Sequence, residues 1–109
     1  LVGHSTEIKN SIILPGAKAP HFNYVGDSVL GFNVNLGAGV KISNVRNDGR
    51  EVSVTIPGGQ RILTGMVKLG ALIGSYSKLG CNVVTNPGCI IMPESMFSPN
   101  EVVTGLHFN

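Results

Sequence analysis

The sequence carries little charge, few cysteines and no long apolar run, and each shortage excludes a class of protein. Charged residues make up 13% of the 109 residues, hydrophobic residues make up 42%, and the net charge is +2. This balance argues against a disordered chain and against a nucleic-acid-binding surface. No apolar run approaches the roughly 20 residues that span a bilayer, so no membrane partner is expected. The expected partners are small molecules or copies of the chain itself.

The two cysteines, Cys81 and Cys89, are too isolated to indicate a disulfide framework or a zinc site. They form no CxxC pair, and the sequence shows no signal-peptide pattern. We therefore interpret them as reduced thiols of a cytoplasmic protein, and no metal site is expected.

Residues that favour turns are abundant. The chain contains 15 Gly and 6 Pro, which disfavour helix interiors, while its many Val, Ile and Leu residues favour strands. A length of 109 residues suits one domain with a modest core. The composition therefore predicts a single all-β domain.

Apolar residues recur about every six positions through residues 1–43. The series is Val2, Ile8, Ile13, Ala19, Val25, Leu30, Leu36 and Ile42. Each member of the series is separated by the same number of residues from the member three places later. This constant separation predicts a three-sided coil whose inward columns repeat once per coil. Each coil would bury its inward side chains against the coils above and below it. The repeat predicts an all-β, left-handed parallel β-helix built from hexapeptides.

The repeat stops over residues 44–66. Residues 51–56 and 61–64 alternate around a Pro-Gly-Gly-Gln turn at 57–60, as the two strands of a hairpin would. We predict that this segment is an excursion from the solenoid. The repeat then resumes at Ile73, Leu79, Thr85, Ile91 and Phe97, which predicts final coils and a tail over residues 67–109.

Stacking of coils at this constant spacing also predicts which outward side chains are neighbours. One column holds His4, His21 and Ala38, and another holds Asn10, Asp27 and Asn44. The small Ala38 would leave a slot for a thioester beside the His21 imidazole, and an imidazole suits the removal of a proton from an attacking amine. Spacing alone leaves a surface histidine without a role equally open.

Other polar residues could complete such a site. Lys9, Arg46 and Arg50 could hold a phosphate, although a solvated face is the other interpretation and is favoured for Arg46. Asn35 and Asn44 could stabilise an oxyanion, although asparagine is also common at solenoid corners.

Two runs of residues carry a resemblance to a known family. KAPHFNYVGD at residues 18–27 and GFNVNLGAG at residues 31–39 resemble the approximate signature KAxHxxYxGD and GxxVNxGAG. That signature is found in the acetyltransferase half of bifunctional uridyltransferase/glucosamine-1-phosphate acetyltransferases. Residues 44–88 resemble the archaeal-type branch, in which a sugar-1-phosphate nucleotidylyltransferase domain precedes the β-helix. Because the chain begins at Leu1, we expect that N-terminal domain to be absent from it.

The resemblance implies an N-acetyltransferase and assigns roles to eight residues. His21 would be the general base that deprotonates the amine of glucosamine 1-phosphate or a similar hexosamine 1-phosphate for attack on acetyl-CoA. Asn44 would lie near the acetyl group, either polarising it or positioning the amine. The residues that would bind the sugar phosphate are Lys9, Tyr24, Asn35 and Arg50. Ala38 and Cys81 would contact acetyl-CoA.

The chain departs from the family at two of these positions. Arg50 stands where the family usually has lysine, so a planar fork replaces a point donor. Cys81 stands where the bacterial branch has a serine.

The resemblance also implies a homotrimer with active sites between subunits, in which residues 44–66 reach a neighbour's site. The alternative is a β-helix that only trimerises a nucleotidylyltransferase and has no transferase activity, because fold does not imply function. Acceptors other than glucosamine 1-phosphate also remain open.

Overall fold

The computed structural model describes residues 1–108, and they form a left-handed parallel β-helix with three faces. The first face contains strands β1 (Val2–His4), β4 (Ala19–His21), β7 (Asn35–Leu36), β12 (Lys78–Leu79) and β15 (Met96–Phe97). The second face contains β2 (Glu7–Lys9), β5 (Tyr24–Gly26), β8 (Lys41–Ile42), β13 (Val84–Thr85) and β16 (Val102–Val103). The third face contains β3 (Ile12–Ile13), β6 (Val29–Leu30), β11 (Ala71–Ile73), β14 (Cys89–Ile91) and β17 (Leu106–His107). The predicted fold class is confirmed.

The strand registers follow the spacing in the sequence. Val25 pairs with Ile8 on one side and with Ile42 on the other, as the predicted columns require. After the excursion Ile73 pairs with Ile91, so the later coils are slightly longer than the earlier ones. The predicted inward side chains of the middle coils are fully buried, whereas Val2 in the first coil is 52% exposed because no coil covers it. Burial therefore depends on stacking between neighbouring coils.

The excursion is a hairpin of strands β9 (Ser53–Thr55) and β10 (Arg61–Leu63), as predicted. Its turn contains Gly58 and Gly59, whose φ angles of 102° and 88° favour glycine. The hairpin lies against the solenoid at Gly88, where an added Cβ would overlap the Ser53 carbonyl oxygen. The chain rejoins the coils at Gly70, whose amide donates to the Asp27 carbonyl oxygen at 2.9 Å.

Several corners between faces use the left-handed backbone region. Asn10 and Asp27 both have a φ of 49°, which short polar side chains tolerate. These two corners are stacked on each other, and their side chains are hydrogen-bonded. Within residues 1–108, no helix is long and apolar enough to cross a membrane.

Candidate active site

The predicted column of Asn10, Asp27 and Asn44 is a hydrogen-bonded ladder across three coils. The side-chain Nδ2 of Asn10 donates to Asp27 Oδ1 at 2.5 Å, and the side-chain Nδ2 of Asn44 donates to Asp27 Oδ2 at 2.7 Å. Bonds from Asn10 and then Asn44 hold the pKa of Asp27 below its ordinary value of 3.8, and the charges of Lys68 and Lys9 act in the same direction. The carboxylate is therefore ionised at neutral pH.

The side chains of Tyr24 and Asn44 form a hydrogen bond above Gly26. Asn44 Nδ2 donates to the Tyr24 hydroxyl oxygen at 3.1 Å, and the two side chains pass over Gly26. A Cβ added at Gly26 would lie 2.5 Å from both the Asn44 nitrogen and the Tyr24 oxygen. Glycine at this position is thus what allows the contact, whereas its φ is not in the left-handed region.

Two lysines lie at the edge of this group. Lys9 ends β2 and pairs with Gly26, and Lys68 belongs to the segment that returns from the hairpin. A cleft of about 320 Å³ adjoins Lys68, and its walls also include Asn10 and Asp27. Sequence reasoning assigned no role to Lys68, because only the return path of the excursion brings it back to Asp27.

His21 lies at a different corner, at the exposed end of β4. It pairs in register with His4, and its carbonyl oxygen accepts from the Gly39 amide at 3.0 Å, which places Ala38 beside it in the next coil. The predicted column of His4, His21 and Ala38 is thus confirmed. Its neighbour Phe22 has a φ of 52°, an unusual conformation for a bulky residue.

Cys81 continues the corner that holds Ala38. A Cβ added at Gly37 would lie 2.7 Å from the Cys81 amide nitrogen, and the Asn82 amide donates to the Ala38 carbonyl oxygen at 2.9 Å. The Cys81 thiol is exposed. His21, Ala38 and Cys81 therefore follow one another along a single edge of the solenoid.

Neither Asn35 nor Arg50 belongs to the ladder of Asn10, Asp27 and Asn44. Asn35 is on the first face, where it pairs with Lys78, and Arg50 is exposed in the excursion. The Arg50 amide donates to Asp48 Oδ1 at 2.9 Å, and Asp48 also forms an ion pair with Arg46 at 2.6 Å. These two contacts lower the pKa of Asp48. The Arg46 side chain is 37% exposed in this pair, which is compatible with the solvated face favoured for it from the sequence.

Within residues 1–108, Tyr24 and Asn44 are the only two of the eight predicted site residues whose side chains hydrogen-bond each other. A second cleft, of about 580 Å³, lies between the hairpin and the second face, and none of the eight lines it. In the described part of the chain, no group of three or more His, Cys, Asp or Glu side chains could hold a metal ion.

Comparison with known proteins gives relatives over most of the chain. A bifunctional sugar-1-phosphate nucleotidylyltransferase/acetyltransferase of Sulfurisphaera tokodaii is 46% identical over 102 residues, which cover 94% of this chain and 25% of that protein. The bifunctional protein GlmU of Methanococcus maripaludis is 43% identical over 101 residues, which cover 93% of this chain and 24% of that protein. No family model matches the chain.

A shorter relative is the uncharacterized acetyltransferase YaiX of Escherichia coli, which is 42% identical over 102 residues, or 44% of its length. The chain thus spans about a quarter of the two bifunctional relatives and less than half of the third. The β-helix fold and these identities are consistent with the family resemblance of residues 18–27 and 31–39. Over most of its length, the chain is homologous to parts of the bifunctional sugar-1-phosphate nucleotidylyltransferase/acetyltransferases.

Proposed function

We propose that this chain is an N-acetyltransferase domain that transfers acetyl from acetyl-CoA to the amine of glucosamine 1-phosphate or a similar hexosamine 1-phosphate. The observation that carries this proposal is the exposed His21 imidazole on one edge with Ala38 and Cys81 in the following coils. The names of two relatives, which include acetyltransferase, agree with it.

The proposed reaction is direct transfer. The amine nitrogen attacks the thioester carbonyl carbon, and His21 accepts the proton that the nitrogen loses. The carbon–sulfur bond then breaks, and the departing thiolate takes the proton from the imidazolium. The products are an amide and a free thiol, and no covalent intermediate with the protein forms.

The phosphate would be held by cations near the ladder. Lys9 and Lys68 both act electrostatically on Asp27, and each side chain is exposed. Arg50 would add a third cation from the excursion. Tyr24 lies on the same coil as His21, between the corner of His21 and the ladder, so a sugar bound over the second face would have its phosphate near these cations and its amine between His21 and Asn44.

We also propose that the active unit is a homotrimer. An outward apolar column runs along the third face, and it consists of Ile12, Val29, Leu72, Ile90 and Leu106. Ile12 is 59% exposed and Leu72 is 40% exposed, which supports burial against another copy. Neighbouring chains would supply Asn35 and Arg50 to sites centred on His21.

The experiment is a thiol-release assay on the intact protein with acetyl-CoA and glucosamine 1-phosphate. His4 offers a matched control, because it pairs with His21 in the adjacent coil. We expect His21→Ala to lose about 10²-fold or more in kcat and His4→Ala to stay near the unmodified protein. Unchanged activity in His21→Ala would exclude the general base.

The alternative of a non-catalytic trimerisation domain gives a different result in the same assay. The intact protein would then be trimeric and would release no thiol with any hexosamine phosphate. The apolar column of the third face would be consistent with that outcome. The arrangement of His21, Ala38 and Cys81 along one edge would not be needed by a domain that only trimerises.

A further inference from the structure

Both hydrogens of the Asn44 side-chain amide form hydrogen bonds within the protein. Nδ2 donates to the Tyr24 hydroxyl oxygen at 3.1 Å and to Asp27 Oδ2 at 2.7 Å. An ionised carboxylate only accepts hydrogen bonds, so the nitrogen end of Asn44 must face Asp27 and its Oδ1 must point away. The direction of this amide is therefore set by Asp27.

Asp27 is itself held firmly. Its Oδ1 accepts from Asn10 at 2.5 Å, its amide donates to the Lys9 carbonyl oxygen at 2.9 Å, and its carbonyl oxygen accepts from the Gly70 amide at 2.9 Å. The coils before and after it and the returning excursion thus all fix this corner. A rigid carboxylate can keep a neighbouring side chain in one orientation.

The same bonds decide what each group can offer to a ligand. The Tyr24 hydroxyl accepts from Asn44, so its own hydrogen is left to donate. Asn44 has no free hydrogen, so its Oδ1 can only accept. An acetyl carbonyl oxygen needs a donor, which Asn44 cannot supply, whereas an amine carries hydrogens that Asn44 Oδ1 can accept.

We propose that Asp27 is a positioning residue that orients Asn44 so that Oδ1 accepts a hydrogen bond from the acceptor amine while the Tyr24 hydroxyl donates to the sugar phosphate. The inference rests on the proposed function and narrows it. Of the two roles open to Asn44, positioning the amine is selected and polarising the acetyl group is excluded. The bond from Asn44 would aim the nitrogen lone pair at the thioester.

The test is a reciprocal exchange of the two side chains, measured as kcat and KM with acetyl-CoA and glucosamine 1-phosphate. Asp27→Asn allows the Asn44 amide to turn, and we expect kcat to fall about 10-fold to 100-fold with the KM for acetyl-CoA unchanged. Asn44→Asp places two carboxylates together, and we expect a larger loss. The double variant again pairs an amide with a carboxylate, and the carboxylate, now on the other coil, would offer an oxygen to the amine.

We therefore expect the double variant to recover at least about 10-fold over Asn44→Asp, a recovery that tests for coupling between the two sites. Asn86→Ala is the control, because it removes a side-chain hydrogen bond between two later coils, to Thr104 Oγ1 at 2.7 Å, that involves none of the eight site residues. Its kcat should stay within about 3-fold of the unmodified protein. Circular dichroism and thermal unfolding show whether each variant is folded.

Two results would overturn the inference while the proposed function stands. One is an active parent protein with an Asp27→Asn variant of equal kcat. The other is a folded double variant without recovery over Asn44→Asp, as expected if Asn44 donates to the acetyl oxygen. No thiol release by the parent with any hexosamine phosphate would instead reject the proposed function.

Discussion

Thr85 places a hydroxyl in the middle of an apolar column, and replacing it with valine should stabilise the protein. The residue is fully buried between Ile42 and Val103 in the stacked coils. Among residues 1–108, its Oγ1 is the one buried side-chain oxygen or nitrogen without a hydrogen-bond partner. Valine has the same shape and replaces that hydroxyl with a methyl group.

The expected gain follows from the cost of the unpaired group. Leaving a buried donor or acceptor unsatisfied costs about 1–3 kcal/mol, and the new methyl group adds apolar burial without a change in volume. We expect the free energy of unfolding of Thr85→Val to rise by about 1–2 kcal/mol. For a domain of this size, that corresponds to a rise in Tm of roughly 4–8 °C.

The assay is thermal unfolding followed by circular dichroism, with Thr64→Val as the matched control. Thr64 Oγ1 donates to the Val52 carbonyl oxygen at 2.6 Å, so the same substitution there removes a bond that is made. We expect its Tm to fall, opposite in sign to the change at Thr85. A Tm for Thr85→Val that is unchanged or lower would show that the buried hydroxyl does not destabilise the core.

Three further predictions concern the site and the thiols. Gly26→Ala should lower kcat more than about 10-fold and leave the circular dichroism spectrum unchanged. The added Cβ would lie 2.5 Å from the side-chain nitrogen of Asn44 and would therefore displace that side chain. The pKa of Asp27 is lowered on folding, so its contribution to stability is complete above the ordinary value of 3.8 and is lost as the pH falls through the lowered pKa. Urea midpoints measured from about pH 5 to pH 2 should therefore fall less steeply in Asp27→Asn, and an equal slope would contradict this. Burial raises the pKa of the Cys89 thiol to about 12, whereas Cys81 is exposed, so a thiol reagent at neutral pH should label one cysteine in the folded protein and both in denaturant.

The fold could be predicted from the sequence because one spacing determines both burial and neighbours. The predicted column that contains Ile8, Val25 and Ile42 is the column of paired strands in the structure. The hairpin could also be predicted, because its strands alternate around a glycine turn. The sequence showed a polar Thr85 in the core series, but whether its hydroxyl finds a partner depends on the packed coils.

The candidate site was only partly predictable. Spacing placed Asp27 between Asn10 and Asn44, but the directions of the hydrogen bonds depend on side-chain orientation, which a repeat does not specify. Lys68 could not be placed, because the excursion before it breaks the repeat and its return path follows from hairpin packing. Asn35 precedes Leu36, whose inward column differs from that of Val25, the residue after Tyr24. Asn35 and Tyr24 therefore lie on different faces.

The role of His21 as general base is tested most directly by a crystal structure of the intact protein with CoA and glucosamine 1-phosphate bound. The quantity to measure is the distance from the nearer His21 ring nitrogen to the sugar amine. We predict a distance of about 3 Å, with the CoA thiol along the edge formed by Ala38 and Cys81. A sugar phosphate whose amine His21 cannot reach, either directly or through one water molecule, would exclude His21 as the general base.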